Sequence, residues 1–135
     1  RIGKRKLYIC GHSLGAAMAT ICASRLEDKF PQLYTYGSPR VGGAEFVNNC
    51  LVDHYRHVNN NDIVTSVPFW IMGFRHHGDL TYINTYGNIR QLTIWQRVKD
   101  QWRGRWAAIK KFQLFDGIRD HSMGSYSEYL KRRVD

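Results

Sequence analysis

The chain has 135 residues, 43% hydrophobic and 13% aromatic, enough for one domain with one core and too apolar for a disordered chain. Lysine and arginine outnumber aspartate and glutamate 20 to 11, a net charge of +9 that favours an anionic partner, either nucleic acid or an anionic membrane surface. No apolar run reaches transmembrane length, no linker or repeat divides the chain, and three cysteines without C-x-x-C spacing argue against a metal site or a disulfide framework.

Arg1 to Lys6 is basic but is not followed by the apolar stretch of a signal peptide. Lys6–Cys10 reads as a buried strand and the Ala-rich run Ala16–Leu26 as a helix. Between them stands Gly11-His12-Ser13-Leu14-Gly15, of the form G-x-S-x-G, in the strand, turn, helix setting of a nucleophile elbow. A serine on such a turn projects its hydroxyl off the sheet edge, and glycines on either side let strand and helix approach closely. A Gly-rich turn that only packs a helix on a strand has the same spacing. The chain opens without Met, almost on the strand that leads into Ser13, whereas such a strand normally lies inside its sheet. Residues 1–135 therefore read as the C-terminal part of a single domain whose N-terminal strands are missing. Cys10 and Cys22 are expected to be buried, free thiols. A cytoplasmic or peripheral-membrane location is favoured, with any upstream signal outside the sequence.

Leu33–Tyr36 predicts a second strand, closed by Gly37-Ser38-Pro39-Arg40, and Ala44–Leu51 a short helix. His54–Val58 predicts a third strand, ending in the polar cluster Asn59-Asn60-Asn61-Asp62, after which Ile63–Pro68 continues as extended chain or loop. Residues 77–84 and 89–93 flank Tyr86-Gly87-Asn88 as a hairpin. In 95–111, Trp95, Val98, Trp102, Trp106 and Ile109 recur at helical steps, with basic residues including Arg97, Arg103 and Arg105 between them. Trp95, Arg97, Trp102, Arg103, Arg105 and Trp106 are candidates for a membrane-facing set. A helix that turns this apolar stripe to its own core fits the same spacing. Ser122 is placed to cap a closing helix that runs to Arg132. Strands alternating with helices predict an α/β fold with a mainly parallel sheet.

A serine hydroxyl needs an imidazole to take its proton and a carboxylate to orient that imidazole. On this fold class the order is Ser, acid, His, with acid and base on loops beyond the strand ends. Asp62 fits the acid because it directly follows the third strand; an ordinary turn aspartate fits that position too. Asp53 precedes its strand and Asp79 starts the hairpin, so both are weaker. His121, just before the terminal helix, fits the base, with His76 and His77 as runners-up. His12 is expected to point away from the site. The backbone N–H of Leu14, at the helix N-terminus, is the candidate oxyanion donor. A second donor normally comes from a loop earlier in the chain.

The segments Gly11–Ala17, Tyr34–Gly42, His57–Val64 and Asp120–Met123 resemble, in order, those of the class 3 (fungal-type) lipases, members of the α/β-hydrolase superfamily. The resemblance implies an α/β-hydrolase-like sheet with flanking helices, and Ser13, Asp62 and His121 as nucleophile, acid and base. It implies hydrolysis of acylglycerol esters through an acyl-enzyme, without metal or organic cofactor. A phospholipase or another esterase of this fold is the alternative within the superfamily. From another class, the alternative is a noncatalytic basic module or pseudoenzyme that binds an anionic membrane or nucleic acid. Nucleic acid is disfavoured because no recognised binding motif is present. Gly37–Arg40 resembles a family loop beside the elbow and reads as structural.

Overall fold

The computed structural model of the chain describes residues 5–59, 62–83, 89–90 and 121–131. The basic Trp-rich segment, with Trp95, Arg97, Trp102, Arg103, Arg105 and Trp106, lies outside the described residues. The elements are β1 (Tyr8–His12), α1 (Leu14–Ser24), β2 (Gln32–Tyr36), α2 (Ala44–Asn49), β3 (Asp53–Asn59), β4 (Asp79–Ile83), β5 (Ile89–Arg90) and α3 (Met123–Lys131). They form one sheet in the order β1-β2-β3-β4-β5. β1 to β4 are parallel, and β5 returns antiparallel on β4 through Tyr82↔Arg90 and Ile83↔Ile89. This is the mainly parallel α/β arrangement expected; of the expected hairpin, β4 and Ile89–Arg90 pair as predicted, and residues 84–88 and 91–93 lie outside the described residues.

The period of two along each strand divides the sheet into two unlike faces. Ile9 and Leu33, neighbours in register, face α1 and pack with Ala19, Ala23, Cys50 and Val52. Small side chains on α1 let it sit close. A Cβ on Gly11 would stand 2.4 Å from the Gly15 carbonyl oxygen, so only glycine fits there. Gly15 differs from expectation: a Cβ there meets nothing within 4 Å, so the close approach rests on Gly11.

The opposite face is aromatic. Tyr34 stacks on Tyr55 at 5.0 Å and Tyr36 on His57 at 4.7 Å, each pair directly opposed in register. Cys10 alternates with Ile9, so it points to this face and is exposed; Cys22 is exposed on the outer side of α1. Both were expected inside, and only Cys50 is buried. Apolar neighbours in sequence say nothing about which side of a strand or helix a partner covers. The segment after Asp62 is also not extended: Ile63–Ser66 is a 3₁₀ turn. The Asp62 side chain accepts from the Val64 N–H at 3.0 Å, and Thr65 Oγ1 donates to the Asp62 carbonyl at 2.7 Å.

His54 and His77 form a relay at the N-terminal ends of the strands. Cys50 O can only accept, so His77 Nε2 carries a proton, at 3.0 Å. His77 Nδ1 then accepts from His54 Nδ1 at 3.0 Å, and Thr35 Oγ1 donates to His54 Nε2 at 2.7 Å. Burial, then the neighbouring His77, Arg56 and His57, holds the His54 imidazole down at about 3. Its folded pKa lies below the unfolded value of about 6.5. The unfolded chain therefore takes up a proton that the fold refuses as pH falls. The share of stability that His54 contributes is full above the unfolded pKa and declines by about 1.4 kcal/mol per pH unit between there and about pH 3. His76, which burial also holds down at about 3, adds a decline of the same sign. Thermal melts of His54→Gln should reduce this dependence and leave the part that His76 contributes; an unchanged slope would show that His54 is not a source of it.

Candidate active site

The C-terminal ends of the parallel strands carry the polar constellation. β1 runs straight into Ser13, whose φ of 58° and ψ of −129° lie outside the ordinary regions for a residue with a Cβ. Such a conformation costs about 1–3 kcal/mol and persists only when its surroundings enforce it. Here the Ser13 N–H donates to the Tyr36 carbonyl at 3.0 Å, and the Ser13 carbonyl accepts the first bonds of α1 from Ala16 and Ala17. The hydroxyl is thereby lifted off the end of the sheet. Leu14 opens α1, so its N–H is among the helix donors without an intrahelical acceptor, next to the serine and at the positive end of the helix.

Asp62 follows the end of β3 and is buried. Three donors converge on its carboxylate. Oδ1 accepts from Val64 N–H, Oδ2 accepts from the Tyr126 hydroxyl at 2.6 Å, and His121 Nδ1 stands 2.9 Å from Oδ2 and 3.0 Å from Oδ1. An ionised carboxylate can only accept, so Nδ1 carries the imidazole proton and Nε2 is left with its lone pair. Ser13 Oγ donates to that Nε2 at 2.6 Å. The structure thus joins Ser13, His121 and Asp62, three residues far apart in the chain, in one unbroken line of hydrogen bonds. The Asp62 side chain is wholly buried, while that of His121 keeps 15% of its surface open. The turn geometry first weighed as an alternative for Asp62 is also present: the same carboxylate that holds His121 caps the 3₁₀ turn.

The rivals lie elsewhere. His76 Nε2 donates to the Thr65 carbonyl at 2.8 Å, and His77 belongs to the His54 relay. Asp53 and Asp79 begin their parallel strands, at the sheet end opposite Ser13. His12, expected to point away, instead lays its ring on that of His121, centroids 4.7 Å apart and planes at 29°.

Two further neighbours are not singled out as site residues by the sequence. Gly37 has φ +60°, and a Cβ on it would stand 2.6 Å from Asp62 Oδ2 and 2.9 Å from His121 Nδ1. Tyr126 is fully buried on α3; besides donating to Asp62, its hydroxyl accepts from the Asn59 N–H at 3.0 Å, tying α3 to the end of β3. The loop read as structural does hold the site's rim. Arg40 N–H donates to the Val67 carbonyl and its guanidinium to the carbonyls of Ser66 and Pro68, fastening the chain that leaves Asp62. A shallow apolar trough on the outer side of α1, between Met18, Ile21 and Arg25, includes none of the joined residues.

A family model described as "Lipase (class 3)" matches residues 2–72, from before β1 to beyond Asp62. The chain belongs to the class 3 lipase family. It is 46% identical over 69 residues to Toxin TseL of Vibrio cholerae serotype O1, covering 47% of this chain and 11% of that protein. It is 46% identical over 76 residues to secreted mono- and diacylglycerol lipase 1 of Fusarium solani, covering 53% of this chain and 23% of the relative. The crystal structure of the MDLA N225Q mutant from Penicillium cyclopium superposes with a TM-score of 0.58 at 34% identity, over 69% of this chain and 36% of that one. The fold is therefore that of the fungal lipases, of which this class 3 chain spans a minor part. The expected cytoplasmic or peripheral-membrane location is overturned by the Fusarium relative, which is a secreted enzyme. That expectation leaned on free thiols, and free thiols report which bridges are absent rather than where a protein goes.

Proposed function

We propose that the chain carries the nucleophile, base and acid of a lipase that hydrolyses acylglycerol esters outside the cell. We further propose that residues 1–135 are the C-terminal part of one lipase domain. The reading is carried by the line from Ser13 Oγ through His121 to Asp62, with links of 2.6 and 2.9 Å. As Ser13 Oγ attacks the ester carbonyl, its proton passes to His121 Nε2. Asp62, held by Val64 and Tyr126, stabilises the imidazolium without taking its proton. The carbonyl oxygen becomes an oxyanion facing the Leu14 N–H, where the α1 dipole favours negative charge. His121 then returns the proton to the leaving glycerol oxygen, and an acyl-Ser13 ester remains. A water, deprotonated by His121, attacks that ester; the fatty acid departs and Ser13 recovers its proton. The strained Ser13 backbone keeps Oγ lifted off the end of the sheet, beside His121. The likeness to a mono- and diacylglycerol lipase supports acylglycerols rather than phospholipids as the substrate class of this chain.

A fluorophosphonate probe tests this directly in the longer protein that carries the chain. Labelling is expected at Ser13, and Ser13→Ala should abolish both labelling and release of fatty acid from a diacylglycerol. A protein that does not label would be a noncatalytic scaffold. One that labels but cleaves only phospholipid would shift the substrate class and leave the mechanism intact.

A further inference from the structure

His121 stands at the entrance to α3, and the reaction needs its Nε2 within hydrogen-bond reach of Ser13. Two contacts from one side chain bear on that distance. His12 Nε2 donates to the His121 carbonyl oxygen at 2.6 Å, and the two rings are stacked. The first fixes where the His121 main chain sits, and the second fixes the tilt of its ring. His12 itself is the last residue of β1, paired in register with Tyr36, and precedes the nucleophile directly. Tyr126 closes the far side, with its ring edge-on to His12 at 6.0 Å and to Tyr36 at 6.1 Å.

We infer that His12 is a positioning residue, which holds His121 over Ser13 by hydrogen-bonding its main chain and stacking on its ring. The inference rests on Ser13 and His121 acting as proposed above. His12 exchanges no proton in the reaction and acts through His121. It ties the nucleophile's strand to the loop that carries the base, so that the separation of the two is set by adjacent residues rather than by the whole intervening chain. A displacement of about 1 Å in such a pair costs about 10²-fold in rate, so a single hydrogen bond here has leverage on turnover.

Three substitutions in the longer protein separate this role from packing. His12→Phe keeps a ring for stacking and removes the donor. His12→Gln keeps an N–H that reaches the carbonyl. His12→Asn is too short to reach it. On a soluble short-chain ester, Phe and Asn should lower kcat by about 10- to 100-fold with KM within about twofold, because orientation rather than uniform binding is lost. Glutamine should restore most of kcat, and fluorophosphonate labelling rates should follow the same order. Wild-type kcat in His12→Phe, a loss confined to KM, or glutamine no better than asparagine would overturn the inference. So would failure of all three variants to fold, which would assign His12 to folding. Persistence of labelling and turnover in Ser13→Ala is a separate result: it would remove the serine-hydrolase reading itself.

Discussion

Asp62→Asn is expected to lower kcat by about 10⁴-fold while leaving the protein folded. The reason is the proton count around the carboxylate. Asp62 accepts from Val64 N–H and His121 on one oxygen, and from His121 and the Tyr126 hydroxyl on the other. An asparagine keeps one oxygen and presents an NH₂ in place of the second. If the oxygen stays with Val64, the NH₂ faces Tyr126 and His121. The Tyr126 hydroxyl already accepts from Asn59 N–H, and His121 Nδ1 can accept only by giving up its proton. The tautomer then reverses: Nε2 carries the hydrogen and points it at Ser13 Oγ, where a lone pair is required. If the amide flips instead, the Val64 N–H loses its acceptor and the 3₁₀ turn that positions the segment is weakened. Steady-state kinetics with a melting curve decide the matter. A kcat within tenfold of wild type would mean that Asp62 does not orient the base, and a protein that no longer folds would place its role in the turn.

Much of this arrangement can be read before folding, because it is local or ordered along the chain. The elbow announces itself in five adjacent residues, and strand and helix periods put Ser13, Asp62 and His121 on strand-end or helix-start loops. Their grouping as nucleophile, acid and base is what the order on this fold class and the family resemblance imply. What escapes is whatever depends on a partner distant in sequence. Tyr126 looks like any aromatic on an amphipathic helix until α3 brings its hydroxyl to Asp62. Strand alternation makes His12 appear to turn from the site, yet a ring at the strand's last residue can lie back over a base arriving from α3. The exposed Cys10 and Cys22 fail for the converse reason: an apolar sequence context does not tell which faces are covered. Gly11 and Gly15 look equivalent in the motif, and only the crossing of α1 over β1 distinguishes the one that admits no side chain.

Gly37→Ala is expected to damage catalysis and stability through two different causes, and a second glycine separates them. Gly37 has φ +60°, a left-handed conformation that costs an alanine about 1–2 kcal/mol wherever it occurs. That cost is shared by Gly73, at φ +85°, where an added Cβ meets nothing within 4 Å. At Gly37 the added methyl meets Asp62 Oδ2 at 2.6 Å and His121 Nδ1 at 2.9 Å, and neither can retreat cheaply. The carboxylate is fastened by Val64 and Tyr126, and the imidazole by Ser13 and the carboxylate. Nor can the backbone withdraw, because the Gly37 N–H donates to the His57 carbonyl at 3.0 Å, inside the sheet end. The methyl therefore wedges the acid and base apart, and a shift of about 1 Å carries a loss of about 10²-fold in kcat. Gly73→Ala should lower the melting temperature by the backbone cost alone, less than Gly37→Ala, and leave kcat unchanged. Equal kcat losses in the two variants would trace the effect to backbone strain alone, and full activity in Gly37→Ala would show that the acid–base pair tolerates the wedge. The contrast gives the glycine after β2 a definite part in the site: it is the floor against which the His121–Asp62 hydrogen bond is laid, and a side chain there competes for the space that bond occupies.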